Sequence, residues 1–94
     1  MIRDLRDYWI IRRSHLFDPF YYLITYSDIR KADTDPLMHF VKYGWKKGRN
    51  PSASFDTTFY LTSNTDVSQV QINPLVHYIR YGKKEGRRIL PTHR

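Results

Sequence analysis

Residues 35–49 read Asp-Pro-Leu-Met-His-Phe-Val-Lys-Tyr-Gly-Trp-Lys-Lys-Gly-Arg, and residues 73–87 read Asn-Pro-Leu-Val-His-Tyr-Ile-Arg-Tyr-Gly-Lys-Lys-Glu-Gly-Arg. Each stretch opens with a short polar side chain that can cap a helix, followed by a proline suited to the first helical turn. Leu37, Phe40 and Val41 then fall at i, i+3 and i+4, as do Leu75, Tyr78 and Ile79, one apolar stripe per helix. Gly44 and Gly82 suit the left-handed position that ends a helix, and Gly48 and Gly86 turn the chain again. The two stretches lie 38 residues apart.

The same offset holds further out. Phe17-Asp18 recurs as Phe55-Asp56, Tyr22-Leu23 as Tyr60-Leu61, and Asp28 as Asp66. A fixed period of this size is the mark of a repeat architecture, in which each unit buries its apolar face against a neighbour. Asp18-Pro19 starts a helix carrying Phe20, Leu23 and Ile24 at helical spacing, with Tyr21 and Tyr22 flanking. In the second copy Asp56 is the cap, Thr57 replaces the proline, and Phe59, Tyr60 and Leu61 carry the helix. Ser27-Asp28 and Thr65-Asp66 read as second starts, with the aspartates as caps. The β-branched run Val67 to Ile72 resembles a strand, but the matching stretch Ile29 to Thr34 does not, so a strand is rejected.

Residues 2–14 read as a further helix, with Ile2, Leu5, Trp9 and Arg13 on one stripe and Tyr8 and Ile11 beside it. The expected fold class is all-α: two tandem 38-residue helical repeats with an N-terminal helix. The expected divisions are 1–16 (helix or cap), 17–54 (first repeat) and 55–94 (second repeat and tail), with 89–94 loose.

Of 94 residues, 16% are aromatic, which argues for a packed core rather than disorder. The absence of cysteine excludes disulfides and thiolate metal sites. No apolar run approaches the length of a membrane span. The first seven residues are charged where a secretory signal needs an apolar core, so the expected location is cytoplasmic. The net charge is +7. Lys42, Lys46, Lys47 and Arg49 close the first unit; Arg80, Lys83, Lys84, Arg87 and Arg88 close the second. Together they hold more than half of the 16 lysines and arginines. They read either as a solvated face complementing helix ends, or as contacts to an anionic partner.

His39 and His77 each stand four residues before a tyrosine, Tyr43 and Tyr81, so each pair shares a helix face. The expected role is a half-buried histidine that bonds a backbone carbonyl and locks two helices; contact with a partner is the alternative. No HExxH motif or carboxylate cluster accompanies them, so no metal, cofactor or catalytic residue is expected. Arg49 and Arg87 are expected to bond helix-end carbonyls. Trp45 is the candidate contact residue that stands out, because its counterpart is Lys83.

The assembled pattern, F-D-x-x-[YF]-Y-L through P-L-x-H-[FY]-x-x-Y-G-x-x-x-G-R, resembles a tandem helical repeat found in bacterial glycosyltransferases of surface-polysaccharide biosynthesis. It covers residues 17–51 and 55–88. Ser27 and Thr65 depart from a usual proline, Asp33 from a usual glycine, and Lys47 from the glutamate that Glu85 keeps. The resemblance implies an accessory helical module beside a transferase domain. The leading expectation is a non-catalytic module making protein or membrane-surface contacts, peripheral to the membrane, its basic ends facing anionic lipid or a lipid-linked acceptor. A carbohydrate-binding module for the glycan acceptor, on Trp45 and the tyrosines, is the second expectation. A small nucleic-acid-binding protein, favoured by charge alone, is the third.

Overall fold

The structure is a computed structural model that describes residues 2–91. It is all-α. Among the described residues the only β pairing is one isolated bridge, Ser52 to Phe55, in the turn that joins the two halves. The helices are α1 (Ile2–Ser14), α2 (Pro19–Thr25), α3 (Ser27–Ala32), α4 (Pro36–His39), α5 (Thr57–Ser63), α6 (Thr65–Val70) and α7 (Pro74–His77).

The helix starts follow local chemistry. The Asp18 carboxylate accepts from the Tyr21 amide at 3.0 Å, and Asp56 from the Phe59 amide at 2.9 Å. Asp35 caps α4 through the Leu37 amide, and Asn73 caps α7 through the Leu75 and Val76 amides. Each cap satisfies amides that have no partner within the first turn. Asp28 and Asp66 are not caps. They sit in the first turns of α3 and α6, which begin without a side-chain cap bond, and both carboxylates are taken by arginines.

The last helix of the first half does not stop at Gly44, and in both halves its end is irregular. After α4 the chain continues as a wide π-helical turn over Phe40–Gly44 and a 3-10 turn over Trp45–Lys47; after α7 it continues as a π-helical turn over Tyr78–Gly82. Gly44 has ordinary right-handed helical angles, so the expected left-handed ending is not there. That conformation belongs to Gly48 (φ 79°) and Gly86 (φ 72°). Gly44 is glycine for clearance. A Cβ would overlap the hydroxyl of Tyr22, and at Gly82 the hydroxyl of Tyr60.

One core runs through both halves. Tyr22, Ile29, Leu37, Phe40 and Val41 join Phe55, Tyr60, Val67, Leu75 and Val76, with Ile11 of α1 fully buried among them. The inward residue of α2 is therefore Tyr22; Phe20 and Ile24, expected on the buried stripe, are exposed. The reason lies outside the helix. Phe17 and Phe40 pack on the Tyr22 ring, at centroid distances of 5.2 and 6.0 Å, and pull that face inward.

Helix α1 packs across α4 and α7, and its rotation also departs from expectation. Asp7 and Ile11 are buried and Tyr8 is half-buried, while Ile2, Leu5 and Trp9 are 86%, 55% and 48% exposed. Tertiary bonds fix this rotation: the Tyr8 hydroxyl donates to Asp35 at 3.1 Å, and Arg3 donates to the Gln71 carbonyl at 2.7 Å.

The halves meet at residues 48–57. Thr57, where the first half has Pro19, is fully buried. Its amide donates to Asn50 Oδ1 and its hydroxyl to the Arg49 carbonyl, both at 2.8 Å. Proline could make neither bond. Within each half the chain returns to its own start: the Asp18 amide donates to the Pro51 carbonyl, and the Asp56 amide to that of Ile89. Ile89, expected to be loose, is thus held at its carbonyl; residues 92–94 of the expected tail lie outside the described residues.

Candidate functional site

Four polar residues that recur at the 38-residue offset are joined in pairs. Tyr22 Oη lies 2.9 Å from His39 Nδ1, and Tyr60 Oη lies 2.8 Å from His77 Nδ1. The histidines do lock two helices together, but through a tyrosine hydroxyl rather than the expected backbone carbonyl. Burial, helped by Arg49 and Arg87, holds both imidazoles below their ordinary value of 6.5. Burial raises the Tyr22 phenol well above its ordinary range and pushes Tyr60 up to about 12. Both members of each pair are therefore neutral near pH 7, and each contact is a hydrogen bond between a neutral phenol and a neutral imidazole, its direction set by the histidine tautomer. Tyr43 and Tyr81 stack beside the imidazoles at 5.6 and 5.4 Å and are otherwise exposed.

Arg49 and Arg87, expected on helix-end carbonyls, instead grip carboxylates in two-pronged pairs. Arg49 reaches Asp28 at 3.1 and 2.9 Å, and Arg87 reaches Asp66 at 3.0 Å with each amine. The planar guanidinium fork matches a carboxylate in a way that lysine cannot. These hydrogen bonds hold Asp28 and Asp66 below the usual carboxylate range. Arg49 also lies over the Tyr26 ring at 4.7 Å, and Arg87 adds bonds to Asn64 and Glu85. Both arginines are thus committed within the chain.

The other candidate contact residues divide. Lys46, Lys47, Arg80, Lys83, Lys84 and Arg88 are exposed, and Lys42 is half-buried. Arg80 lies over the Tyr81 ring, and Arg88 folds back to the Pro91 carbonyl at 2.6 Å. Trp45 is not a surface platform. It is 8% exposed, and its indole N–H donates to the Val41 carbonyl at 3.0 Å.

What remains visible of Trp45 forms a wall of a cleft of about 470 Å³ between α1 and both halves. Arg3, Asp4, Asp7, Lys46 and Gln71 line it with Trp45. Asp7 is its least ordinary member. The side chain is 6% exposed, and its one partner among the described residues is the Arg6 guanidinium at 3.5 Å, the limit of a hydrogen bond. Burial raises its carboxyl above the usual range, against the pull of Arg6 and Arg3. The periodicity of α1 gave no sign of this. The cleft draws on residues up to 68 positions apart, and its one legible clue was Trp45, where the two halves differ.

Among the described residues no group of three or more histidines or carboxylates could hold a metal ion, and no helix is long and apolar enough to cross a membrane. No family model, curated protein or solved structure matches the chain.

Proposed function

We propose that this chain is a non-catalytic module of two tandem 38-residue helical repeats, accessory to a glycosyltransferase of bacterial surface-polysaccharide biosynthesis, and that it works by surface contact. The repeat reading draws support from contacts that recur at the same offset: the Tyr–His pairs, the Arg–Asp pairs, the cap aspartates and the glycine clearances. The Tyr–His and Arg–Asp pairs shared by the halves are committed to holding the fold. That leaves contact, rather than chemistry, to the unshared surface.

The outer stripe of α1 carries the contact reading. Ile2, Leu5 and Trp9 stand at i, i+3 and i+7 on a helix whose apolar residues should be buried, yet they face outward. Arg6, Arg12 and Arg13 are exposed on the same helix, with Arg12 over the Trp9 ring at 5.8 Å. An apolar stripe with an interfacial tryptophan, basic neighbours and a net charge of +7 suits an anionic membrane surface. Vesicle co-sedimentation tests this. Binding to phosphatidylglycerol vesicles should weaken with salt, be absent from phosphatidylcholine vesicles, and be lost in the Ile2→Ser/Leu5→Ser/Trp9→Ser variant. Equal failure to bind both vesicle types would remove the membrane reading.

A further inference from the structure

The cleft behind α1 is independent of the outward stripe, since it lies between α1 and the two halves. We propose that it binds a neutral saccharide, with Asp7 accepting hydroxyl hydrogen bonds and Trp45 packing against the apolar C–H face of the ring.

Asp7 supplies the first reason. A carboxylate can accept about four hydrogen bonds. This one is nine-tenths buried in a cleft wall and has a single long contact to Arg6. That leaves most of its acceptor capacity open to a donor that enters the cleft. Structural duty explains it poorly, because a hydrogen bond at 3.5 Å offsets little of the cost of burying the charge.

Charge selects the class of ligand. An anion entering the cleft meets Asp4 and Asp7, and a cation meets Arg3 and Lys46. A neutral ligand meets neither repulsion and can use both kinds of side chain, as donors and as acceptors. It must bring hydroxyls for Asp7 and an apolar face for Trp45, Val41 and Leu61, which line the same cleft. The Trp45 indole N–H is spent on Val41 and the Lys46 ammonium lies over the ring at 5.8 Å, so what Trp45 offers the cleft is the small exposed apolar part of its ring. Sugars combine these two properties in one ring. The cleft volume lies within the roughly 300–1,000 Å³ usual for small-ligand pockets.

The chain contains two tryptophans, so the Trp9→Phe variant reports Trp45 alone. Its fluorescence would be titrated with D-glucose, D-galactose, D-mannose, N-acetyl-D-glucosamine, L-rhamnose and maltose. Ethanolamine and inorganic phosphate serve as charged controls. A saturable change with at least one neutral sugar, and with neither control, is expected. Adding Asp7→Asn should weaken that binding about tenfold or more while leaving the melting temperature unchanged or higher. That split separates ligand contact from a structural role. The proposal is overturned if no sugar gives saturation, if ethanolamine or phosphate binds as well as the best sugar, or if Asp7→Asn binds like the parent. Vesicle binding is read separately, so failure here leaves the contact reading standing.

Discussion

The hydroxyl of Tyr22 occupies the space that a Cβ on Gly44 would fill, and the same hydroxyl is bonded to His39. Tyr60, Gly82 and His77 stand in the same relation. Three residues from two helices are thus one packing unit, and a change in one alters what the others meet.

Gly44→Ala should destabilise the protein by roughly 1–3 kcal/mol, the usual cost of forcing a methyl group into a filled core. Tyr22→Phe alone should cost about 1–2 kcal/mol, because His39 Nδ1 loses its partner. Together the two should cost less than their sum, since removing the hydroxyl makes room for the methyl. Urea unfolding of the two single variants and the double variant measures this. Strict additivity would show that the clearance is not what Gly44 provides.

Acid should weaken the fold through the histidines. Their folded values lie below the ordinary 6.5, so the unfolded chain binds protons first as pH falls. The stability they contribute is complete above about pH 6.5 and declines as pH drops toward the folded values. Asp28 and Asp66 act in a separate and lower window. Their folded values are depressed, so their contribution is present above 3.8 and lost as pH falls further. Asp7 has the opposite sign: with its folded value raised, its contribution improves as pH falls toward 3.8. Melting temperatures from pH 7.5 to 5 should fall in the parent and flatten in His39→Asn/His77→Asn. An equal slope in both would assign the acid sensitivity elsewhere.

The two tryptophans should differ sharply in accessibility. Trp9 stands half exposed on α1 and Trp45 is enclosed. Acrylamide should therefore quench the Trp45→Phe variant, which keeps Trp9, several-fold more strongly than Trp9→Phe. Equal quenching would mean that α1 presents a different face.

The capping aspartates should matter by ordinary amounts. Asp18→Ala and Asp56→Ala should each cost about 0.5–2 kcal/mol, the usual worth of such a cap. Asp→Asn at either position should recover most of the loss, because an amide oxygen can still accept the Tyr21 or Phe59 amide. Thermal or urea unfolding is sufficient. A full loss in the Asn variants would show that charge, and not the cap bond, was the source.

The starts of α2, α4, α5 and α7 were legible from Asp18, Asp35, Asp56 and Asn73, because a cap acts on amides two or three residues away. So were the buried stripe of Leu37, Phe40 and Val41, a turn of the chain at Gly48 and the rejection of a strand at Val67–Ile72, which are properties of a few neighbouring residues. Tertiary contacts decided the rest. Thr57 lacks the proline of Pro19 because it bonds Arg49 and Asn50 across the joint. Asp28 looks like a cap, but Arg49, 21 residues away, takes it. Gly44 reads as a helix end until the Tyr22 hydroxyl is placed against it. The outward turn of Ile2, Leu5 and Trp9, and the burial of Asp7 and Trp45, follow from α1 lying across both halves. Local sequence sets backbone preferences over one or two turns. Which face a short helix buries depends on the shape and bonding partners that distant segments present, and those exist only once the chain has folded.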